Sequence, residues 1–309
     1  LSGKMKIYNN ANLDKRHYRG VIAIGNFDGL HLGHQKVIRE AKEKAKNNNL
    51  PFGIMTFEPM PVMFFNPKIE NYRINSIKQK ISQLKKLKVN FLIIVKFNKK
   101  FSSLTAEKFI KKIIYQKTKS KFIYVSKNFK FGNKRQGSIE TLRKYEKVYK
   151  FKTLVTKPYK KNKKIISSSL IRKSIKSGKI KEANKLLNRE WTITGKVIKG
   201  KKLGRKIGFP TCNVKLNEYI IPRLGVYAVK VNGFKFSKKG IANVVVSQIE
   251  IRSQHSSWSV NKVFIGLNRI FKISTVEQCF CLPILAGSGN SLVKLKLQRT
   301  IKISYSIFV

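Results

Sequence analysis

Acidic residues are scarce in this sequence. Fourteen Asp and Glu face 67 Lys and Arg, giving a formal net charge of +53 at pH 7. Such a balance favours anionic partners, nucleic acid among them. The lysines do not gather into one stripe, however. Residues 1–240 hold 49 of them, spread throughout and mixed with abundant Asn and Ile. That spread reads as solvated lysine faces, and the anions it attracts include small ones. Cysteine is also rare. Cys212, Cys279 and Cys281 cannot build a disulfide framework, so a reducing cytoplasm is expected. No apolar run is long enough for a membrane-spanning helix, and the first residues lack the apolar segment of a signal peptide. Met5 is the expected natural start, with residues 1–4 an upstream extension. What remains is 309 residues at 42% hydrophobic content, enough for two domains with a core each.

Residues 20–38, G-V-I-A-I-G-N-F-D-G-L-H-L-G-H-Q-K-V-I, organise the reading. Val21–Ile24 is a continuous apolar run, as in a strand buried on both faces. Gly25, Gly29 and Gly33 then demand tight turns, and a helical pattern runs on to about Lys46. If that helix starts near Leu32, His31 and His34 face its N-terminus, where free N–H groups and the macrodipole attract phosphate. Zinc is the alternative for two histidines at this spacing, but no Cys or further His lies nearby to complete a tetrahedral set. Asn26, Phe27 and Asp28 line the same turn.

Strands are expected over 51–57, 91–95, 122–125 and 151–155, with an amphipathic helix over 76–87 that puts Ile77, Ile81, Leu84 and Leu87 on one face. Residues 5–19 read as a polar lead-in, and Thr105 as a helix cap. Strands alternating with helices over 20–180 argue a doubly wound parallel α/β domain. Further on, I-S-S-S-L-I-R places Ser167, Ser168 and Arg172 at a helix start, where hydroxyls and a guanidinium can hold the β- and γ-phosphates of ATP. An ordinary serine cap is the plainer alternative.

Together, G-N-F-D-G-L-H-L-G-H-Q and I-S-S-S-L-I-R resemble the two nucleotidyltransferase signatures of prokaryotic bifunctional riboflavin kinase/FAD synthetases. The resemblance implies FMN adenylyltransferase chemistry over 5–178, with His31 and His34 catalytic and with Gly25, Asn26, Phe27, Asp28, Gly33, Ser167, Ser168 and Arg172 around the nucleotide phosphates. The segment S-K-N-F-K-F-G-N-K-R-Q-G resembles the family's nucleotide-side loop, which implies a flavin or nucleotide wall at Asn128, Phe129 and Arg135. Ser126 stands there where Gly is usual, and Met60 stands where the family's T-F-x-P-H-P segment has His. The F-N…F…L-T-A-E-K-F-I run implies a further wall or lid of the adenylation site.

Residues 179–190 resemble the family's linker helix, and 191–309 its antiparallel riboflavin kinase β-barrel. The basic, glycine-punctuated loop at 200–213 can wrap phosphates with its N–H groups, although it lacks Walker A spacing. It resembles the kinase G-x-x-x-G-R-x-x-G-F-P-T-x-N segment, which implies ATP and Mg²⁺ contacts from Gly204, Gly208, Thr211 and Asn213. From about Val245 no motif can be matched. Residues 241–309 carry only 5 Lys, and their only acids are Glu250 and Glu277. No catalytic Glu can be placed, a frameshift or a divergent tail would produce this pattern, and the barrel is expected to be incomplete with an impaired kinase.

The expected function is therefore FAD biosynthesis from riboflavin, FMN, ATP and Mg²⁺, with no specific nucleic-acid or membrane partner. Two alternatives stand: a nucleotidyltransferase of the same fold with another substrate, and a basic nucleic-acid-binding protein.

Overall fold

The computed structural model describes residues 5–69, 71–161, 164–198, 211–215, 219–232, 237–247, 260–266 and 300–305. The chain divides into two compact units, Leu1–Ile69 with Ile77–Ser168, and Glu70–Ser76 with Ser169–Val309. The first contains β1 (Lys6–Tyr8), β2 (Val21–Ile24), α1 (Leu32–Asn47), β3 (Phe52–Glu58), α2 (Pro61–Phe65), α3 (Ile77–Lys86), β4 (Phe91–Lys96), α4 (Lys99–Ser102) and α5 (Ala106–Phe109). The helix begun by α5 runs on through Ile110–Thr118. It is followed by β5 (Phe122–Ser126), α6 (Ile139–Lys144), α7 (Glu146–Tyr149), β6 (Lys152–Thr156) and a small hairpin of β7 (Lys160–Lys161) and β8 (Lys164–Ile165).

Six strands form one parallel sheet in the order β1-β4-β3-β2-β5-β6. The expected doubly wound domain is therefore present. Its central strand β2 is buried throughout. Val21 and Ala23 join the apolar layer of Val37, Ile38, Ala41 and Leu84 from α1 and α3. Ile22 and Ile24 point the other way, toward Phe109, Ile110, Ile113 and Leu142. This two-sided burial explains why the strand reads as an unbroken apolar run. After β2 the chain steps outward to β3 and β4, then crosses back to β5 on the opposite flank. Strand order reverses beside β2, and open α/β sheets bind ligands at the strand C-termini of such a switch point. The glycine loop follows β2 there, and the 127–137 loop follows β5.

The lead-in at 5–19 is less polar than expected. Met5, Tyr8, Ala11 and Leu13 are buried, and β1 pairs with β4. A strand of three residues is too short to show a period.

The second unit begins with α8 (Ser168–Lys176), whose first residue closes the first unit, and α9 (Ile180–Leu187). β9 (Thr192–Ile198), β10 (Thr211–Lys215), β11 (Gly225–Asn232), β12 (Ser237–Ser247), β13 (Val260–Gly266) and β14 (Thr300–Tyr305) follow. These six strands close a barrel in the order β10-β13-β12-β11-β14-β9. The expectation of an incomplete barrel is corrected here. β13 pairs with both β10 and β12, and β14 pairs with both β9 and β11. Closure rests on backbone hydrogen bonds, which need no family motif, and T-I-K-I-S-Y keeps the alternation of a half-buried strand. Inside this unit, Trp191 is buried with Ile74, Ile171, Ile175, Leu187 and Val229, and its Nε1 donates to the Ile74 carbonyl at 2.8 Å. Helix α9, within the stretch expected as a linker, thus contributes to the barrel's apolar core.

Candidate active site

The β2–α1 loop is held in an unusual backbone state. Phe27, Gly29 and Leu30 have φ of 47°, 84° and 42°. Two of these are bulky residues in the left-handed region, at a cost of about 1–3 kcal/mol each. Both side chains are 2% exposed, and burial of that size offsets about 1.5–3 kcal/mol each. Alternate carbonyls of the loop are also tied down. Asn26 O accepts from Lys80 Nζ at 2.7 Å and from Thr56 Oγ1 at 3.1 Å. Asp28 O accepts from Ser168 Oγ at 2.9 Å, and Leu30 O from Gln35 Nε2 at 2.9 Å.

His31 is the N-cap of α1. Its Nδ1 accepts the His34 N–H at 3.3 Å, so in the neutral ring the proton sits on Nε2. The His31 and His34 rings stack, with centroids 3.7 Å apart and planes 21° from parallel. Phe27 lies against His34 at 5.3 Å. Helix geometry gives the N–H groups of Leu32 and Gly33 no intrahelical acceptor, which is the arrangement that receives phosphate. Gly33 makes room for this packing: a Cβ there would lie 3.1 Å from His31 Cε1 and 3.3 Å from the Ile166 carbonyl. Two sequence motifs far apart in the chain, 25–34 and 166–168, therefore meet within the first unit. Gly25 continues the strand, with its N–H on the Met55 carbonyl at 3.0 Å.

The remaining expected residues are placed as follows. Ser167 precedes α8, at the same end as Ser168. Arg172 belongs to the second unit, where its guanidinium lies 3.8 Å from the centre of the Tyr72 ring and its Nε donates to the Tyr72 carbonyl at 3.0 Å. Asn128 and Arg135 are exposed, and Phe129 is half-buried and stacked on Phe131 at 5.5 Å. Ser126 ends β5, exposed and paired with Thr156; its φ is not positive, so the backbone there does not require Gly. Met60 is 1% exposed and starts α2, its carbonyl accepting from Met63 and Phe64 N–H groups. Gly204 and Gly208 lie outside the described residues. Thr211 and Asn213 stand two apart on β10, and Asn213 is buried with no hydrogen-bond partner for Oδ1 among the described residues.

Sequence reasoning missed two features. One is the Lys80–Thr56 tie; Lys80 shares the apolar face of α3 with Ile77 and Leu84, but its partners at residues 26 and 56 are distant in the sequence. The other is an aromatic ladder in which Phe97 meets Phe57, Phe64, Phe65 and Phe101 at 5.3–6.1 Å. These rings meet edge to face, and Phe65, 67% exposed, presents apolar surface to solvent.

A doubly wound parallel sheet with H-x-G-H at the helix start after its central strand, followed by a closed antiparallel barrel, defines a two-domain nucleotidyltransferase. The FAD synthetase family matches residues 13–170, and the riboflavin kinase family matches residues 187–277. The bifunctional riboflavin kinase/FMN adenylyltransferase of Buchnera aphidicola (subsp. Schizaphis graminum) is 44% identical over 236 residues, 75% of each chain. Proteins of the same description from Haemophilus influenzae and Escherichia coli K12 are 38% and 34% identical, covering 72% and 75% of this chain and 73% and 75% of their own. A solved structure titled as a macrolide-efflux protein from Streptococcus pneumoniae matches with a TM-score of 0.75 at 25% identity, over 99% of this chain and 91% of its own. The chain belongs to the bifunctional riboflavin kinase/FMN adenylyltransferase family and works in FAD biosynthesis, with ATP, riboflavin, FMN and FAD as its substrates and products. The kinase match runs to residue 277, past Val245, where motifs ceased to be recognisable. No helix among the described residues is long and apolar enough to cross a membrane.

Proposed function

We propose that the β2–α1 loop carries the adenylyl transfer. A phosphate oxygen of FMN attacks the α-phosphorus of ATP, and the bond to the α,β-bridging oxygen breaks. Pyrophosphate leaves with that electron pair, and FAD remains. No residue is covalently modified. Negative charge builds on the α-phosphate oxygens, and His31 Nε2–H, His34 and the first-turn N–H groups of α1 stabilise it. Gly25, Asn26, Phe27 and Asp28 shape the loop around the nucleotide, and Gly33 lets the histidines pack. Ser167 and Ser168 hold the leaving pyrophosphate, Ser168 also anchoring Asp28. Asn128, Phe129 and Arg135 wall the flavin or nucleotide, and the Phe97 ladder offers a face on which an isoalloxazine ring can stack. The observation that carries this reading is the stacked His31–His34 pair capping α1. Incubating the purified chain with ATP, Mg²⁺ and FMN, and following FAD and pyrophosphate by chromatography, tests it. Equal amounts of both products support the reading, and their absence overturns it.

The barrel is the riboflavin kinase half. The buried Oδ1 of Asn213, without a hydrogen-bond partner among the described residues, is a hard oxygen donor suited to Mg²⁺, with Thr211 two residues before it on β10. When bound there, Mg²⁺ neutralises phosphate charge; Gly204 and Gly208 would wrap the phosphates of ATP. We further propose that phosphorylation of riboflavin is the weaker activity, because the only acids of 241–309, Glu250 and Glu277, cannot be assigned as the base. The basic surface faces solvent in a cytoplasmic enzyme and needs no nucleic-acid or membrane partner.

A further inference from the structure

Among the lysines whose side chains are described, Lys80 is the one that is buried, at 1% exposure, and the others lie at or near solvent. Burying an ammonium is costly unless polar partners receive it. Two of its contacts lie at the glycine loop: Nζ donates to Asn26 O at 2.7 Å and to Thr56 Oγ1 at 3.2 Å, and that hydroxyl in turn donates to Asn26 O. Among the ties that hold the carbonyls of residues 26, 28 and 30, this is the one that brings a full charge. It acts on the residue immediately before the strained Phe27, five positions from His31. A neutral, well-packed side chain would fill the same site on α3 at less cost to the fold. A charge retained there is better explained by what it does to the loop.

We infer that Lys80 is a positioning residue for adenylyl transfer, acting through the Asn26 carbonyl. Its ammonium fixes the turn that leads to Phe27, Asp28 and the His31 cap, and it places a positive charge behind a loop that receives anions. This rests on the adenylyltransferase reading of that loop. The test is Lys80→Met, which keeps the length and apolar stem of the side chain and removes donor and charge. FAD formation from FMN should lose between about tenfold and a hundredfold in kcat, as for a small misplacement of reacting groups. KM for ATP should move by less than about threefold. The thermal unfolding midpoint should hold or rise, because a buried charge has been replaced by an apolar group. Amides of residues 25–31 should exchange hydrogen faster in the variant, and those of β4 should not. Thr56→Val, which removes one of the two donors to Asn26 O, should give a smaller loss in kcat.

A kcat within about twofold of the parent overturns the inference. So does a loss of kcat accompanied by a lower unfolding midpoint and faster exchange throughout the first unit, which would make Lys80 structural. Unchanged exchange at 25–31 overturns it as well. Failure of the unsubstituted chain to make FAD would instead sink the reading of the loop, and the exchange measurement would still decide whether Lys80 holds it.

Discussion

Gly33 lies directly beneath the His31 imidazole. A Cβ at this position would stand 3.1 Å from Cε1 and 3.2 Å from Nδ1 of that ring, and 3.3 Å from the Ile166 carbonyl. Contacts this short force the ring and the carbonyl to give by a few tenths of an ångström. Gly33→Ala should therefore lower FAD formation by between about tenfold and a hundredfold while the chain remains folded. Steady-state kinetics with FMN and ATP, beside a thermal melt, check it. A parental rate would show that the ring tolerates the shift.

The two tasks of His31, capping α1 and donating from Nε2, can be separated. His31→Ala removes both, and loss of the cap should cost about 0.5–2 kcal/mol of stability. Asn is among the preferred N-caps, so His31→Asn should keep most of that stability yet still lack the donor. Both variants should lose about 10²–10³ in kcat, as expected for removal of one donor to a developing oxyanion. Urea unfolding read beside kcat distinguishes them. A fully active His31→Asn would remove the imidazole from the chemistry.

Tyr8 and His17 give the first unit a pH dependence. The Tyr8 hydroxyl accepts the Asp14 N–H at 3.3 Å and shares a hydrogen bond with His17 Nδ1 at 2.7 Å, its direction set by the imidazole tautomer. Burial, and then the nearby Arg16 charge, push His17 below its ordinary pKa of 6.5. Below that value the unfolded chain binds a proton that the folded chain refuses, so folding stability falls as pH drops; above it His17 contributes no slope. The urea midpoint should be lower at about pH 5.5 than at about pH 7.5, and His17→Phe should flatten part of that difference. Equal slopes in parent and variant would refute the assignment.

The two activities should separate in one assay. With ATP and Mg²⁺, FMN should be converted to FAD, while riboflavin should give little FMN. FMN accumulating from riboflavin at a rate comparable to adenylation would show that residues 245–309 complete the kinase. Asn213→Leu should then abolish what phosphorylation there is and leave FAD formation from FMN intact.

Much of the first unit was legible because its physics is local. The unbroken apolar run Val21–Ile24 follows from burial on both faces, and the glycines follow from turns and close approach. The Thr105 cap is where its hydroxyl suggested, accepting the Lys108 N–H at 3.2 Å. What stayed hidden depends on distant partners. β1 is three residues long and owes its place to pairing with β4. Lys80 looked like one solvated lysine among many until α3 was seen to turn it toward Asn26. Closure of the barrel was hidden for a related reason, since ladder hydrogen bonds are made by main-chain groups common to every sequence.

That closure also bears on how the chain is born. β9, at Thr192–Ile198, finds one of its two barrel neighbours in β14, at Thr300–Tyr305, about a hundred residues later. On a ribosome the parallel sheet has all six of its strands once Thr156 has emerged, and it can fold while synthesis continues. The barrel must wait until Tyr305 has emerged. A message cut short, or a ribosome stalled, anywhere between β9 and β14 would leave a nascent chain with a formed parallel sheet and open strand edges behind it, a species that chaperones and proteases would meet first.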